Sequence, residues 1–286
     1  MKFGLSFASS IAPGPVAALE LCKRAEGMGF DSVWAAEHVV LPAKIESRYP
    51  YTADGVIPVA NDTPIPDPLI WLAYVAAAVP SMKLGTCILI LPQRNPLVLA
   101  KELATLDHLS GGRVELGIGV GWLKEEFEAL GVPWARRGAR TNEYMAALRT
   151  LWSGPEVAFS GEFIDFPKVT VSPRPAAGSI PIIVGGDSPA AVRRAATLGD
   201  GFYPGTSDPK VLEEMIKELH RLAIEAGRDP SDIAVHVNCN INAINSVKDI
   251  EHYQKIGVSR VLVPSFIGLD GFKNLQAISR ETASEN

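Results

Sequence analysis

The chain has 286 residues, of which 47% are hydrophobic and 21% charged, with a formal net charge of −5 and a pI near 5.6. An acidic chain without a lysine- or arginine-rich run is not expected to bind nucleic acid, and no apolar run reaches the roughly 18 residues of a membrane span. The three cysteines, Cys22, Cys87 and Cys239, lack CxxC spacing, which argues against a zinc site or a disulfide scaffold and favours the cytoplasm.

The first part of the chain predicts two strands that are separated by a helix and followed by a long loop. Residues 2–7 and 31–36 have strand patterns, and the helix between them begins at Pro15. Residues 39–68 then contain six prolines and no sustained period, together with Tyr49 and Tyr51. A loop of this length inside a compact domain is typical of a lid or binding loop, or of a disordered segment.

Residues 83–122 predict a complete strand, helix, strand unit. Residues 84–91 form a continuous apolar run, as in a buried parallel strand. Pro96 starts a helix with leucines at helical spacing, and the pair Gly111-Gly112 ends it. The next strand leads directly into the turn Gly117-Ile118-Gly119-Val120-Gly121-Trp122.

The rest of the chain continues this alternation, with a non-helical insertion at about residues 154–178 that predicts a short hairpin with a three-residue turn. Ser188 and Pro189 are a good N-cap and first residue for the helix that follows strand five. Further helices are predicted over residues 123–130, 137–152, 209–226 and 247–256, strands over 113–116, 181–184, 200–203, 233–241 and 260–264, and an amphipathic segment over 269–278.

Eight predicted strands that alternate with helices favour an α/β fold of the (β/α)8 TIM-barrel type over an open, doubly wound sheet. We predict a single TIM-barrel domain over residues 1–286, with insertion loops at about residues 39–68 and 154–178. The active site of such a barrel lies at the carboxyl ends of its strands. The residues that directly follow each strand are therefore the candidates for chemistry.

Strand two ends in Glu37-His38. A histidine at the barrel mouth is suited to donating or accepting a proton beside a ligand, because its unperturbed pKa lies near neutrality. The alternative is a histidine that is hydrogen-bonded into the loop. Glu37 alternates with His38 along the chain and is expected to form a structural ion pair with an arginine.

Glycines follow strands four and five. The first set has GxGxG rather than GxGxxG spacing and follows the fourth strand, so it predicts backbone clearance beside a flat cofactor, or a plain tight turn, rather than a Rossmann site. The second set, Gly185-Gly186-Asp187-Ser188, opens a helix. Free amides and the helix dipole favour an anion such as phosphate at that position.

Strand seven carries polar residues at period two, namely His236, Asn238, Asn240 and Asn242. We expect these side chains to face the barrel interior, where they either contact a ligand near the mouth or satisfy one another as an asparagine ladder. The spacing of His, Cys, Asp and Glu indicates no metal site, and no nucleophile motif is present. The chemistry that side chains alone do not supply is therefore assigned to an organic cofactor.

Five motifs together resemble the luciferase-like monooxygenase superfamily, and within it the branch of oxidoreductases that use the deazaflavin coenzyme F420. The motifs are WxxEH, LGTxILxLPQRNPLxLAKxLATLDxLSGGR, GxGxGWxxxEFxALG, RGxRTxEYMxALRxLW and PIIVGGDSPAAVRRAATLGDGF. The resemblance covers residues 2 to about 202. It implies a TIM barrel with the flavin or deazaflavin ring in its mouth, and a homodimer.

The resemblance also implies roles for individual residues. His38 matches the histidine near the reactive face of the ring, and Cys87-Ile88 falls where similar proteins have a non-prolyl cis peptide behind the ring. The residues implied to follow the ring edge are Gly119, Val120 and Gly121, and those implied to hold the phosphate are Val184, Gly185, Gly186 and Ser188.

Trp122 stands where the sugar-phosphate dehydrogenases of this superfamily have a glutamate, so we expect an apolar or aromatic wall and not a sugar-phosphate site. The predicted substrate pocket contains Trp122, Tyr49, Asn238 and Asn240. The predicted reaction is hydride transfer between coenzyme F420 and a small, apolar organic molecule, with His38 assisting proton transfer. The alternatives are an FMNH2-dependent two-component monooxygenase served by a flavin reductase, a barrel that binds flavin without turnover, and an NAD dehydrogenase, which the glycine spacing disfavours.

Overall fold

Eight parallel strands close into a ring in this computed structural model, which describes residues 1–238 and 247–267. In chain order the strands are β1 (Lys2–Ser6), β2 (Ser32–Ala35), β3 (Lys83–Thr86), β4 (Leu89–Ile90), β5 (Val114–Gly119), β6 (Val157–Ser160), β7 (Asp165–Val169), β8 (Ile182–Gly185), β9 (Gly201–Tyr203), β10 (Ala234–Asn238) and β11 (Arg260–Pro264). The ring runs β1-β2-β3-β5-β8-β9-β10-β11 and returns to β1. The predicted TIM barrel is confirmed.

Helices pack around the ring, and most begin at the signals that the sequence predicts. They are α1 (Ala8–Ile11), α2 (Pro15–Gly27), α3 (Pro68–Ala76), α4 (Pro96–Ser110), α5 (Lys124–Ala129), α6 (Arg137–Ser153), α7 (Pro189–Leu198), α8 (Pro209–Glu225) and α9 (Val247–Lys255). Proline occupies the first turn of α2, α3, α4, α7 and α8. The side chains that cap α3, α4, α7 and α8 by accepting from first-turn amides are Asp67, Asn95, Ser188 and Asp208.

Trp34 of β2 fills the centre of the barrel and is only 1% exposed. Glycines on neighbouring strands provide its space, because a Cβ at Gly85 would lie 2.2 Å from Trp34 Cε3. A Cβ at Gly117 would likewise lie 1.9 Å from the carbonyl oxygen of Thr86. Alternate residues of the strands, such as Leu5, point outward into the main hydrophobic core beneath the helices. Close packing around Trp34 therefore requires glycine at position 85, and close approach of the Thr86 backbone requires it at position 117.

A buried polar network lies toward the amino ends of the strands. Arg260, at the start of β11, donates hydrogen bonds to Asp31 at 2.8 Å and to Glu115 at 2.6 Å, and its Nη1 lies 3.2 Å from Nε2 of His236. Burial, and after it the charge of Arg260, lowers the pKa of His236 well below its usual value, so this imidazole is neutral. His236 faces the interior, as its period-two position predicts, and there it contacts Arg260 and the ring of Trp34.

The structure differs from the predicted elements at four positions. Strand four, predicted over residues 113–116, continues to Gly119 as β5, so Gly117 and Gly119 lie in a strand and not in a turn. Predicted strand three is divided into β3 and β4 at Cys87-Ile88, which is a cis peptide. The connection between β6 and β7 has four residues instead of three, since the amides of residues 162–164 surround the Glu143 carboxylate. Strand one stops at Ser6, because Phe7 adopts a φ of 57° and α1 follows. The predicted end of strand seven and the predicted segment 269–278 lie outside the described residues.

Candidate active site

His38 follows β2 at the barrel mouth, and its side chain is 12% exposed. Its Nδ1 lies 3.0 Å from Oε2 of Glu126, a fully buried residue of α5. Because a carboxylate only accepts hydrogen bonds, Nδ1 carries the hydrogen and Nε2 is the nitrogen that remains for a ligand. The same carboxylate accepts a hydrogen bond from the Val39 amide at 2.7 Å. Glu126 therefore orients the ring of His38 and holds the start of the loop that follows.

Glu126 is the site residue that the sequence analysis missed. In the sequence it resembles an ordinary acid in the first turn of a helix, where the helix dipole favours negative charge. The available signal was the segment Glu126-Phe127 within the motif that begins with the glycine turn and Trp122. Its partner His38 lies 88 positions away in the chain, so spacing alone does not join the two.

Glu37 forms the predicted structural ion pair, and its partner is Arg94. The buried Glu37 carboxylate accepts hydrogen bonds from Arg94 Nε at 2.8 Å and from the Ile90 amide at 2.5 Å. Arg94 also donates to Asp67 at 2.6 Å. Burial alone would lower the pKa of the Arg94 guanidinium. The two carboxylates have the larger effect, so the pKa is raised. The cluster joins the end of β2 to the start of α3.

An aromatic wall, made up of Tyr49, Tyr51 and Trp122, stands beside His38. The Trp122 ring centroid lies 5.8 Å from that of His38 and 5.0 Å from that of Tyr49, and both contacts are edge-to-face. Tyr49 in turn lies 5.4 Å from Tyr51. The predicted pocket residues Trp122 and Tyr49 are therefore brought together with His38, and edge-to-face packing holds them in place.

The segment 39–67, called the lid here, carries the two tyrosines of this wall and is fastened by Glu125 of α5. The Glu125 carboxylate accepts hydrogen bonds from the amides of Glu46 at 2.7 Å and Ser47 at 2.9 Å, and from the Ser47 hydroxyl at 2.7 Å. Partial burial opposes ionisation, but these hydrogen bonds lower the pKa of Glu125 to about 2. The sequence left open whether this segment is a lid or binding loop or a disordered segment. In the structure it is a loop that is held by these hydrogen bonds.

Ile88 forms an apolar floor in the mouth. The preceding bond, Cys87-Ile88, is the cis peptide that the resemblance implies. A Cβ at Gly119 would lie 1.9 Å from Ile88 Cδ1, and one at Gly185 would lie 3.0 Å from Ile88 Cγ2. Both glycines therefore leave room for Ile88 itself. For Gly119, the sequence had predicted clearance beside a flat cofactor or a plain tight turn. Gly121 has a φ of 80°, and a Cβ there would meet Phe127 at 2.6 Å.

Polar side chains at the ends of β1, β9, β10 and β11 form a rim. Asn238 Oδ1 accepts a hydrogen bond from the Ser6 hydroxyl at 3.2 Å. Within the described residues, the buried hydroxyl of Ser265 has no hydrogen-bond partner, and the buried hydroxyl of Tyr203 interacts with the Asn238 side chain. Burial raises the pKa of Tyr203 well above its usual value, so its phenol keeps its proton and remains a donor. The other predicted pocket residue of strand seven, Asn240, lies outside the described residues.

The predicted anion site at the start of α7 is partly engaged within the protein. The Gly186 amide donates to the Tyr203 carbonyl at 3.1 Å, and the Ser188 hydroxyl accepts from the Ala191 amide at 3.2 Å as the N-cap. Asp187 accepts a hydrogen bond from the Gly205 amide at 2.5 Å. The dipole of α7 favours an anion at this position, whereas the Asp187 carboxylate opposes one.

Val184 and Val120 were also predicted to contact the cofactor, and they lie in different environments. The side chain of Val184 packs into the main core on the outer side of β8, so any contact between Val184 and a phosphate involves its backbone. Val120 is half-buried directly after β5, between the two glycines of the turn.

Over residues 1–238 and 247–267, no three side chains of His, Cys, Asp or Glu come together as a possible metal site. In the same ranges, none of the helices combines the length and the apolar composition that crossing a membrane requires.

Comparison with known proteins shows extended similarity. A profile described as luciferase-like monooxygenase matches residues 1–253. An uncharacterized protein of Mycobacterium tuberculosis is 36% identical over 246 residues, which cover 86% of this chain and 83% of that protein. F420-dependent glucose-6-phosphate dehydrogenase of Nakamurella multipartita is 35% identical over 234 residues, covering 80% of this chain and 63% of that enzyme.

Among solved structures, F420-dependent secondary alcohol dehydrogenase in complex with an F420-acetone adduct is similar, with a TM-score of 0.77 over 97% of each chain. The sequence identity to it is 20%, so this similarity bears on the fold.

Proposed function

The chain belongs to the luciferase-like monooxygenase family and is an F420- or flavin-dependent oxidoreductase, and from that premise we propose that it transfers a hydride between coenzyme F420 and a small, apolar organic molecule. The observation that carries the proposal is the hydrogen-bonded pair of His38 and Glu126 beside Trp122 at the barrel mouth. A proton-transferring group next to an aromatic wall suits a reaction in which hydride transfer changes the charge of an apolar substrate.

The residues of the mouth fit a deazaflavin ring. Ile88 offers an apolar floor, and the unpartnered, buried hydroxyl of Ser265 and the Tyr203 hydroxyl beside Asn238 are the polar groups assigned to the polar edge of such a ring. The coenzyme, when bound, supplies the hydride chemistry, which no side chain can provide. We assign the ring edge to the backbone of residues 119–121 and the phosphate to the start of α7, next to Gly185 and Gly186.

His38 is assigned the proton. Since Glu126 accepts the hydrogen bond from Nδ1, Nε2 accepts a proton from the substrate or returns one to it. The His38 side chain is only 12% exposed beside the aromatic wall, and this shielding from water strengthens its electrostatic interaction with the substrate. Glu126 is a positioning residue in this proposal, because it acts through His38.

The substrate is assigned to the space next to Trp122 and Tyr49. Their edge-to-face contact presents apolar surface beside His38, which favours a carbonyl compound, alkene or aromatic molecule without a phosphate. Asn238, hydrogen-bonded to Ser6, is the polar group assigned to the far end of the substrate.

The alternative function is that of an FMNH2-dependent, two-component monooxygenase, which requires a separate flavin reductase. The description of the matching family favours it, and the Ile88 floor suits a flavin as well as a deazaflavin. The cofactor separates the two functions, because flavin has a nitrogen where deazaflavin has a carbon, and only the flavin activates oxygen.

We further propose that the enzyme works in the cytoplasm as a homodimer. Cys22 and Cys87 are free and buried, which suits a reducing compartment.

Parallel titrations of the purified protein with coenzyme F420 and with FMN, each oxidised and reduced, test the proposal by fluorescence quenching. We expect coenzyme F420 to bind at least about tenfold more tightly than FMN, a difference of about 1.4 kcal/mol. A preference for reduced FMN would replace hydride transfer with the monooxygenase reaction. Binding of neither would contradict the assignment of the Ile88 floor and the start of α7.

A further inference from the structure

Phe7, directly after β1, breaks the alternation of its strand. The side chain of Leu5 points outward into the main core, whereas a Cβ at Gly4 would lie 2.9 Å from Trp34 Nε1 inside the barrel. Continued alternation would therefore place the side chain of residue 7 on the outer side. The Phe7 ring instead packs, together with Ile88, against the interior cluster that contains Trp34.

The backbone of Phe7 is what turns its ring inward. Its φ of 57° and ψ of 24° lie in the left-handed region, which a residue with a bulky side chain rarely adopts. A glycine would make the same turn without strain, so the turn alone does not account for a phenylalanine at this position. Backbone strain of this kind is concentrated at functional sites. The ring that the strained residue presents to the mouth is therefore the feature to be explained.

Phe266, which follows β11, continues the apolar surface that Phe7 begins. The two ring centroids lie 6.2 Å apart and the rings are tilted by 34°. Phe7 is half-buried, whereas Phe266 is 65% exposed. A single exposed phenylalanine is ordinary, but two adjoining rings beside the Ile88 floor form a continuous apolar surface. These two residues are called the Phe7–Phe266 wall here.

The order of the strands places this wall opposite the segments assigned to the coenzyme. In the ring of eight strands, β1 is four places from β8 and β11 is four places from β5. The ring edge and the phosphate of the coenzyme are assigned to the ends of β5 and β8. His38 follows β2, the strand next to β1, and Ser6, which precedes Phe7, is hydrogen-bonded to Asn238. The wall therefore faces the coenzyme segments across the space assigned to the substrate.

We propose that the Phe7–Phe266 wall determines substrate specificity by binding a phenyl group or a similarly bulky apolar group of the substrate. An aromatic surface favours an aromatic ring, because ring pairs add to the gain from apolar burial. The substrate class is then an aryl carbonyl compound, with its phenyl group on the wall and its carbonyl oxygen toward His38. This inference rests on the proposed function for the reaction, but the binding of the phenyl group requires neither coenzyme nor turnover.

The test is a titration of the full chain, without coenzyme, with acetophenone and with 2-butanone, followed by ligand-observed NMR. Both molecules are methyl ketones, and only acetophenone has a phenyl ring. We expect acetophenone to bind the wild type at least about tenfold more tightly than 2-butanone. Acetophenone that binds no more tightly than 2-butanone would overturn the proposal.

Two variants remove the rings of the wall one at a time. Phe7→Gly keeps the backbone, because glycine adopts a positive φ without strain. Phe266→Ala removes the exposed ring, and Ile224→Ala on α8 is its matched control, since Phe266 and Ile224 are 65% and 66% exposed. We expect Phe7→Gly to weaken acetophenone binding at least about tenfold and Phe266→Ala at least about threefold, with 2-butanone affinity changed less than about twofold. The control should change neither affinity.

The comparison of the two ketones separates a binding role of the wall from a structural one. An equal loss of affinity for both ketones would assign the two rings to structure, and unchanged acetophenone affinity would exclude them from the pocket. Either result would overturn the proposal. If Phe7→Gly does not fold, Phe266→Ala decides the test, because its side chain is mostly exposed.

Titration of Phe7→Gly with coenzyme F420 separates this inference from the proposed function. We expect coenzyme affinity within about twofold of the wild type, since the wall lies across the mouth from the coenzyme segments. A loss of coenzyme affinity with unchanged acetophenone binding would assign Phe7 to the coenzyme and overturn the proposal. A wild type that binds no coenzyme would contradict the proposed reaction, while the ketone titrations would still decide the role of the wall.

Discussion

His38 and Glu126 form one unit at the scale of single residues. The Glu126 carboxylate is inaccessible to solvent and accepts one hydrogen bond from the His38 ring and another from the Val39 amide. Such a partner fixes both the tautomer and the orientation of the imidazole. The histidine alone, as recognised in the sequence, is therefore only half of the arrangement.

His38→Ala and Glu126→Gln are expected to reduce the turnover number of the proposed reaction without changing coenzyme affinity more than about twofold. Removing the proton carrier should lower kcat by roughly 10²- to 10⁴-fold, and removing the negative charge of its partner by roughly 10- to 100-fold. The measurement is steady-state kinetics with a substrate found by screening carbonyl compounds and alkenes, combined with coenzyme titration.

A double-mutant cycle distinguishes a positioning role from a purely structural one. In the His38→Ala background, Glu126→Gln should change kcat little, because the group that it positions is already absent. Additive losses would mean that Glu126 acts independently of His38.

The sequence predicted individual residues wherever one side chain and its place on a strand were enough. His38 and Glu37 follow a strand, and alternation predicted the ion pair of Glu37, which is confirmed. Glu126 was missed, because its significance lies in what surrounds it in the folded chain. The glycine at position 119 was found, but the side chain that requires it, Ile88, is visible only in the packing.

At the scale of elements, α5 holds the lid in place through hydrogen bonds. Two consecutive acids of this six-residue helix hold different parts of the lid, Glu126 at its start and Glu125 at residues 46–47. The sequence did not decide between a lid and a disordered segment, because six prolines remove every periodic signal. Apart from the four-residue α1, the described helices and barrel strands, whose periodicity is local, were predicted to within a few residues.

Glu125→Gln is expected to loosen the lid in a pH-dependent manner. The pKa of this carboxyl is lowered from 4.5 to about 2 in the folded protein, so its contribution is fully present above pH 4.5, decreases as the pH falls, and is lost below about pH 2. Amide hydrogen exchange measures it, through the protection of Glu46 and Ser47. The difference between wild type and variant should be constant from pH 5 to pH 7 and shrink toward pH 3. A difference that grows as the pH falls would exclude this role.

At the scale of the whole molecule, α3 presents an uncharged surface. Residues 68–80 contain no charged side chain. The exposed positions of this segment lie at helical spacing and are all apolar or aromatic, namely Ile70, Ala73, Tyr74, Ala77 and Pro80. Two copies of such a stripe can meet across a two-fold axis without charge repulsion, as an isologous interface requires. This surface is where we expect the proposed homodimer to form.

Ile70→Glu is expected to weaken the dimer at least about tenfold, because each interface would then bury unpaired carboxylates. Ile224→Glu on α8 is the matched control, since Ile70 and Ile224 are 74% and 66% exposed, respectively. Sedimentation velocity over a range of protein concentrations measures the association. A dimer that tolerates Ile70→Glu would have to use another surface, and a wild-type monomer at all concentrations would contradict the homodimer itself.

Closure of the barrel through β1 and β11 has a consequence for synthesis on the ribosome. Lys2 pairs with Arg260, so the first strand acquires this neighbour only after nearly the whole barrel has been translated. At about 5–20 residues per second, the delay is roughly 13 to 50 s. During that time the outer edge of β1 is open to pairing with a strand of any other nascent chain. Of all the strands in the nascent protein, β1 is therefore the one that chaperones have to shield for the longest time.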